Sequence, residues 1–199
     1  RSAMQSAHLN PGAEALSRRA PRRASQAFGD DRGWFFASLN QLKFDDAVGE
    51  AVLFSQDNHS RSVQGVLRGL HYQLAPEPQA KLVRATAGAT FDVAVDVRRS
   101  SSTYGAWVGA ELTADNRRQL WIPEGFAHGF LTLSEVAEVQ YKARGFWNKS
   151  CERAIIWNDP DLGIAWPLER LEGTEVSLSG KDAEAAGFKA ADTAGDVFA

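Results

Sequence analysis

A chain of 199 residues with 44% hydrophobic and 24% charged residues has the profile of one soluble globular domain that can bury a core without staples. Its net charge of -3 argues against a nucleic-acid or anionic-membrane partner, and no apolar run approaches the ~20 residues that span a bilayer. The one cysteine, Cys151, excludes an internal disulfide and fits a reducing, cytoplasmic setting.

Residues 1–27 stand apart. Arg1, Arg18, Arg19, Arg22 and Arg23 face a single acid, Glu14, while Pro11 and Pro21 interrupt helical periodicity and no strand alternation is visible. This stretch reads as a flexible basic arm, with Arg1–Met4 a candidate tag remnant; an Arg- and Ser-rich transit peptide is the competing reading. A single domain is expected over 28–199.

From Gly29 the pattern becomes that of short strands. Gly29-Asp-Asp-Arg-Gly33 is a turn signal leading into the strand-like Trp34-Phe35-Phe36, and Asn40–Val48 reads as a short helix. Residues 51–56, 64–73, Lys81–Ala87 and Thr90–Val97 read as strands; Val95 and Val97 alternate with Asp96 and Arg98 as in a half-buried one. Trp107–Leu112, Gln119–Ile122, Gly129–Leu133 and Ala137–Lys142 continue the series at short, even spacing, which predicts a mainly β antiparallel sandwich or barrel. The Ala-rich tail predicts a helix over Lys181–Ala191.

The chemistry centres on two histidines. His128 lies in Pro123-Glu-Gly125-Phe-Ala-His128, a spacing that resembles the second motif of cupin barrels, where the Pro and Gly turn the His inward. The counterpart of the first motif is Gly69-Leu-His71-Tyr72-Gln73. Gln73 stands where a metal-binding barrel carries a second His, and Lys81 stands near the position of its acid. Gln is a poor ligand for Zn²⁺ or Fe²⁺ and a lysine repels cations, so neither metal nor cofactor is expected. What is left suits proton transfer. Imidazole titrates near neutrality and serves as a base (His71), a phenol can return a proton (Tyr141), and Lys81, Arg68 and His128 can stabilise an oxyanion. Each of these residues alone also fits an ordinary structural role.

Several long strings together resemble one family. Val66-Leu-Arg-Gly-Leu-His-Tyr-Gln, Phe91-Asp-Val-Ala-Val-Asp, Gln119-Leu-Trp-Ile-Pro-Glu-Gly-Phe-Ala-His-Gly-Phe and Trp157-Asn-Asp-Pro-Asp-Leu-Gly-Ile are similar to the dTDP-4-dehydrorhamnose 3,5-epimerases over about three quarters of the chain. The resemblance implies a homodimeric, metal-free, cupin-type jelly roll. It would invert C3 and C5 of dTDP-4-dehydro-6-deoxy-D-glucose, on either side of the C4 ketone. It also implies His71 as base, oriented by Asp182 of Ser179-Gly-Lys181-Asp182, Tyr141 as acid and Lys81 at the active site. Substrate contacts are implied for Arg68, His128, Gln56, Asn58, Phe35, Trp147 and Lys181, with Arg32 reaching the nucleotide from a partner subunit. The sequence departs from the pattern at Ala37, where a nucleotide-holding Glu is usual, and at Phe146-Trp147, where a Tyr-Tyr pair is usual. A basic stretch also replaces the apolar strand before Gly29. A 3-only or 5-only epimerase and a non-catalytic sugar-nucleotide binder are the alternatives.

Overall fold

The computed structural model describes residues 22–24 and 27–199. The basic arm read over residues 1–27, with the tag remnant at its start, lies outside the described residues apart from 22–24 and 27. Two antiparallel five-stranded sheets form the body. In chain order the strands are β1 (Arg22–Ala24), β2 (Phe28–Asp30), β3 (Gly33–Phe35), β4 (Gln56–Val63), β5 (Leu67–Gln73), β6 (Ala80–Ala87), β7 (Ala89–Asp96), β8 (Trp107–Thr113), β9 (Arg118–Ile122), β10 (Phe126–Thr132), β11 (Val136–Arg144) and β12 (Glu152–Ala154). The first sheet runs β1-β9-β6-β11-β4 and the second β12-β5-β10-β7-β8, while β2 and β3 make a separate hairpin. The expected mainly β, cupin-type jelly roll is thus what the chain forms.

Three apolar layers hold it together. Between the sheets, Val83, Leu120, Ile122 and Val139 of the first meet Ala94, Val108, Leu112 and Phe130 of the second. The outer face of the second sheet (Leu67, Leu70, Phe91, Val93, Val95) is covered by the C-terminal segment through Ile155, Trp166, Leu171 and Phe188. On the outside of the first sheet, Leu82 and Trp121 pack under helix α1 (Gln41–Val48), whose Phe44 meets Trp121 edge-on at 5.1 Å between ring centroids. Helix α1 is capped by Asn40, whose side chain accepts from Lys43 N–H, and ends at Gly49 in the left-handed region. Among the described residues no helix is long and apolar enough to cross a membrane.

Four details differ from the sequence reading. Arg22–Ala24 pairs with β9 although the stretch shows no strand alternation. Residues 51–55 are not a strand: Val52 N–H donates to the Asp45 carboxylate and its carbonyl accepts from the Gln41 amide, so α1 side chains take the place of a neighbouring strand. Strand β7 is buried along nearly its whole length rather than half-buried, because the C-terminal segment covers the face that would otherwise meet water. Asp96 is carried inside with it and accepts from Arg98, Ser101 and Thr103. The tail folds as two short helices, α2 (Gly180–Ala183) and α3 (Phe188–Ala194), because Ala186 between them is drawn into a bridge with Ile155.

Candidate active site

A cavity of about 450 Å³ opens between the sheets, with the 177–182 segment as one wall. Strand β5 brings two functional side chains to it through an irregularity. His128 of β10 lies opposite His71 and Phe130 opposite Arg68, so Gly69 and Leu70 on β5 answer the single Gly129 on β10. That extra residue sets Arg68 and His71 on one face despite their odd spacing. Gly69 makes it possible. It adopts φ +121°, and a Cβ there would sit 2.5 Å from Gly129 Cα and 2.6 Å from the His128 carbonyl oxygen, where only glycine fits.

Across the cavity, Tyr141 of β11 pairs with Val83 of β6 and Asn58 of β4, so all three share a face. Lys81, one alternation further along β6, holds its Nζ 5.6 Å from the Tyr141 ring centroid. The fourth contribution comes from far along the chain. Ser179 caps α2 by accepting from Asp182 N–H, and Asp182 then meets His71, Oδ1 to Nε2, at 2.5 Å. Asp182 is 3% exposed. Burial would push its carboxyl up, but the His71 hydrogen bond and charge, the Ser179 hydroxyl and the Gly69 N–H together hold it below the usual value. An ionised Asp182 takes the hydrogen on His71 Nε2 and leaves Nδ1 with the lone pair.

The other groups are tuned by the same surroundings. Burial raises the Tyr141 phenol, Arg68 opposes this and Glu152 adds to it, so the phenol stays protonated at neutral pH and can donate. Burial lowers the Lys81 amine to about 8, with Glu152 opposing. No ion-pair partner stands beside Lys81 among the described residues, and Arg68 makes one hydrogen bond, Nε to Ser62 Oγ at 3.2 Å. The cavity therefore holds two cations whose charge is not spent on a neighbouring carboxylate. Lys181 is paired with Glu152 at 2.6 Å. His128 bonds Asp92 at 3.0 Å and is pushed down chiefly by burial, so it is neutral near pH 7.

Of the residues singled out in the sequence, His71, Tyr141, Asp182, Lys81, Arg68, His128 and Lys181 line this cavity. Gln56 and Asn58 alternate with Ser60 along β4 on the Tyr141 face and bond each other at 2.9 Å; Gln56 also accepts from Trp147 N–H. Phe146 and Trp147 are exposed beside them. Arg32 and Phe35 are elsewhere. They sit on the β2–β3 hairpin, which is held to the outer face of the first sheet by Arg117 over Trp34 and Arg84 over Phe36. Arg32 is 90% exposed, paired with Asp30. Gln73 turns to the backbone, donating to the Glu77 and Phe146 carbonyls and accepting from Asn148 N–H.

Sequence reading missed three residues. Glu152 gives no local signal, since β12 reaches the site only by pairing with β5. Asp92 and Thr90 did give one, as a carboxylate and a hydroxyl within the apolar run that opens β7; both are fully buried.

Comparison with known proteins identifies the family. The dTDP-4-dehydrorhamnose 3,5-epimerase family model matches residues 22–190. A relative of that description from Pseudomonas aeruginosa is 58% identical over 167 residues, 84% of this chain and 90% of its own. The structure of a dTDP-6-deoxy-D-glucose-3,5-epimerase from Legionella pneumophila, solved with dTDP-4-keto-L-rhamnose, superposes with a TM-score of 0.82 at 45% identity, covering 87% of this chain and 89% of that one. A 3'-monoepimerase from Streptomyces bikiniensis, solved with dTDP-quinovose, gives 0.83 at 31% identity, covering 90% and 88%. The chain belongs to the dTDP-4-dehydrorhamnose 3,5-epimerase family.

Proposed function

We propose that the cavity converts dTDP-4-dehydro-6-deoxy-D-glucose to dTDP-4-dehydro-L-rhamnose by inverting C5 and C3 through proton removal and return beside the C4 ketone. The observation that carries this is the His71–Asp182 pair at 2.5 Å, in one cavity with a protonated phenol and two cations without carboxylate partners. His71 Nδ1 takes the proton from the carbon next to the ketone. The electron pair moves onto O4, where Lys81 and Arg68 meet the developing charge. Tyr141, on the opposite sheet, delivers a proton to the other face of the carbon; His71 then releases its proton to solvent and Tyr141 takes one from it, which resets both. The same cycle at the second α-carbon completes the reaction, which is redox-neutral and closes on proton transfers alone.

Nucleotide binding falls to the exposed aromatics Phe146 and Trp147 with Gln56 and Asn58. Arg32 and Phe35 lie on the far side of the first sheet within their own chain, so their use requires a second copy. The exposed Phe28, Trp34 and Phe35 (63%, 62% and 73%) provide an apolar surface for such a homodimer. The domain spans 28–199 with a basic arm before it, and the protein works in the cytoplasm.

Incubation in D₂O with the 4-keto sugar nucleotide and a 4-ketoreductase tests this. Two deuterium atoms per product and an L-rhamnose configuration are expected. One deuterium would reduce the assignment to a monoepimerase, and none would make the chain a binder only.

A further inference from the structure

A second histidine–carboxylate pair faces the same cavity, and nothing in the proton-transfer cycle above uses it. His128 lies directly opposite His71 in the β10–β5 ladder. Its Nε2 meets Asp92 Oδ1 at 3.0 Å, and the other oxygen of Asp92 accepts from Thr90 Oγ1 at 2.5 Å. The geometry is fixed by strand pairing. Asp92 is opposite Phe130 and His128 opposite Ala94, so Asp92 and His128 are diagonal neighbours on one face of β7 and β10. Both Thr90 and Asp92 are sealed from solvent, whereas His128 reaches the cavity.

We propose that Asp92, backed by Thr90, is a positioning residue that fixes His128 with its hydrogen on Nε2, so that Nδ1 meets the substrate as an acceptor for a sugar hydroxyl and not as a donor to O4. This rests on the epimerase reading of the cavity.

Thr90 occupies one carboxylate oxygen as donor, and the other oxygen, as an acceptor, takes the His128 Nε2 hydrogen. In a neutral imidazole the remaining nitrogen is then a lone pair. Burial, with the nearby Lys81 charge, disfavours a second proton on the ring and outweighs Asp92, whose hydrogen bond and charge favour one. Nδ1 has no partner among the described residues. A ketone oxygen brings no hydrogen to such a lone pair, and a hydroxyl does. The sugar is therefore sorted by polarity: its carbonyl oxygen belongs beside Lys81 and Arg68, and a hydroxyl belongs beside His128. This sorting presents the carbons flanking the ketone to His71. Oxyanion stabilisation, which the sequence suggested for His128 together with Lys81 and Arg68, is left to the two cations.

The test is Asp92→Asn, which keeps shape and reverses direction. With Thr90 still donating to the amide oxygen, the Asn nitrogen donates to Nε2 and the hydrogen moves to Nδ1. Long-range ¹H–¹⁵N NMR of histidine-labelled protein, with the His128→Gln spectrum for assignment, is expected to show a neutral Nε2–H ring in the wild type and an Nδ1–H ring in Asp92→Asn. The variant's kcat/KM should fall about ten- to hundred-fold, mostly through KM, as expected when a substrate hydrogen bond becomes a clash of donors. Affinity for dTDP alone should change by less than about two-fold, since the nucleotide half does not use His128. A wild-type ring that is imidazolium or Nδ1–H at neutral pH overturns the proposal, and does so even if the variant fails to fold. An inverted tautomer with unchanged KM and kcat overturns it as well. Absence of deuterium uptake by the wild type in D₂O is a different failure, that of the epimerase reading itself.

Discussion

At the scale of single residues, chemistry follows from which charges are paired. Asp182 stays ionised because three hydrogen-bond donors, the His71 imidazole among them, outweigh its burial. Asp182→Asn reverses the hydrogen bond to His71 and places the hydrogen on Nδ1, the atom meant to act as base. Turnover in a reductase-coupled assay is expected to fall about 10²–10⁴-fold with KM little changed. His71→Asn should do the same, whereas for a mere binder neither substitution would matter. Lys81 behaves oppositely. Its folded value of about 8 lies below the ordinary 10.5 because burial penalises the ammonium. Between those values the unfolded chain holds more protons than the folded one, so this group makes stability rise with pH across that window. Urea unfolding at pH 8 and pH 10 should show that rise in the wild type and a smaller one in Lys81→Met. The activity carried by the protonated amine should fade above about pH 8.

At the scale of elements, the site depends on an irregular strand rather than a regular one. Regular alternation along β5 would send Arg68 and His71 to opposite faces; the extra residue at Gly69 brings them together. Gly69→Ala forces a Cβ against Gly129 and the His128 carbonyl. Urea denaturation should register a loss of about 1–3 kcal/mol or more, with turnover reduced because both side chains shift. Element-level reading of the sequence succeeded where apolar periodicity dominates, in β6 to β11. It failed at β4, where Gln56–Val63 alternates polar with polar because one face is only half-buried, with Ser60 lining the cavity, and the other meets solvent. It also ran one helix through the tail, where Asp182 and Ala186 are committed to β5 and Ile155 instead.

At the scale of the whole molecule, the hairpin is the unresolved demand of the fold. Phe28 and Phe35 are solvent-exposed on a two-stranded ribbon that carries Arg32 away from its own cavity. The proposed homodimer accounts for both facts. Sedimentation should therefore give twice the chain mass, and Phe28→Asp with Phe35→Asp should give a monomer with weakened dTDP binding. A monomeric wild type with full nucleotide affinity would refute the arrangement.

From the residues alone came the strand-rich pattern, the inward-turning Pro123–His128 string, and the residues proposed as base, acid and cation, because these are local strings whose types carry chemistry. Assembly was decided by packing. His71 and Asp182 are 111 positions apart and meet only because the C-terminal segment closes over the second sheet. Glu152 arrives by pairing with β5, and Asp92 gains its partners by lying diagonal to His128 across a strand pair. Periodicity reports which face of an element avoids water, but not what will cover it. Partners, burial and hence protonation are properties of that cover.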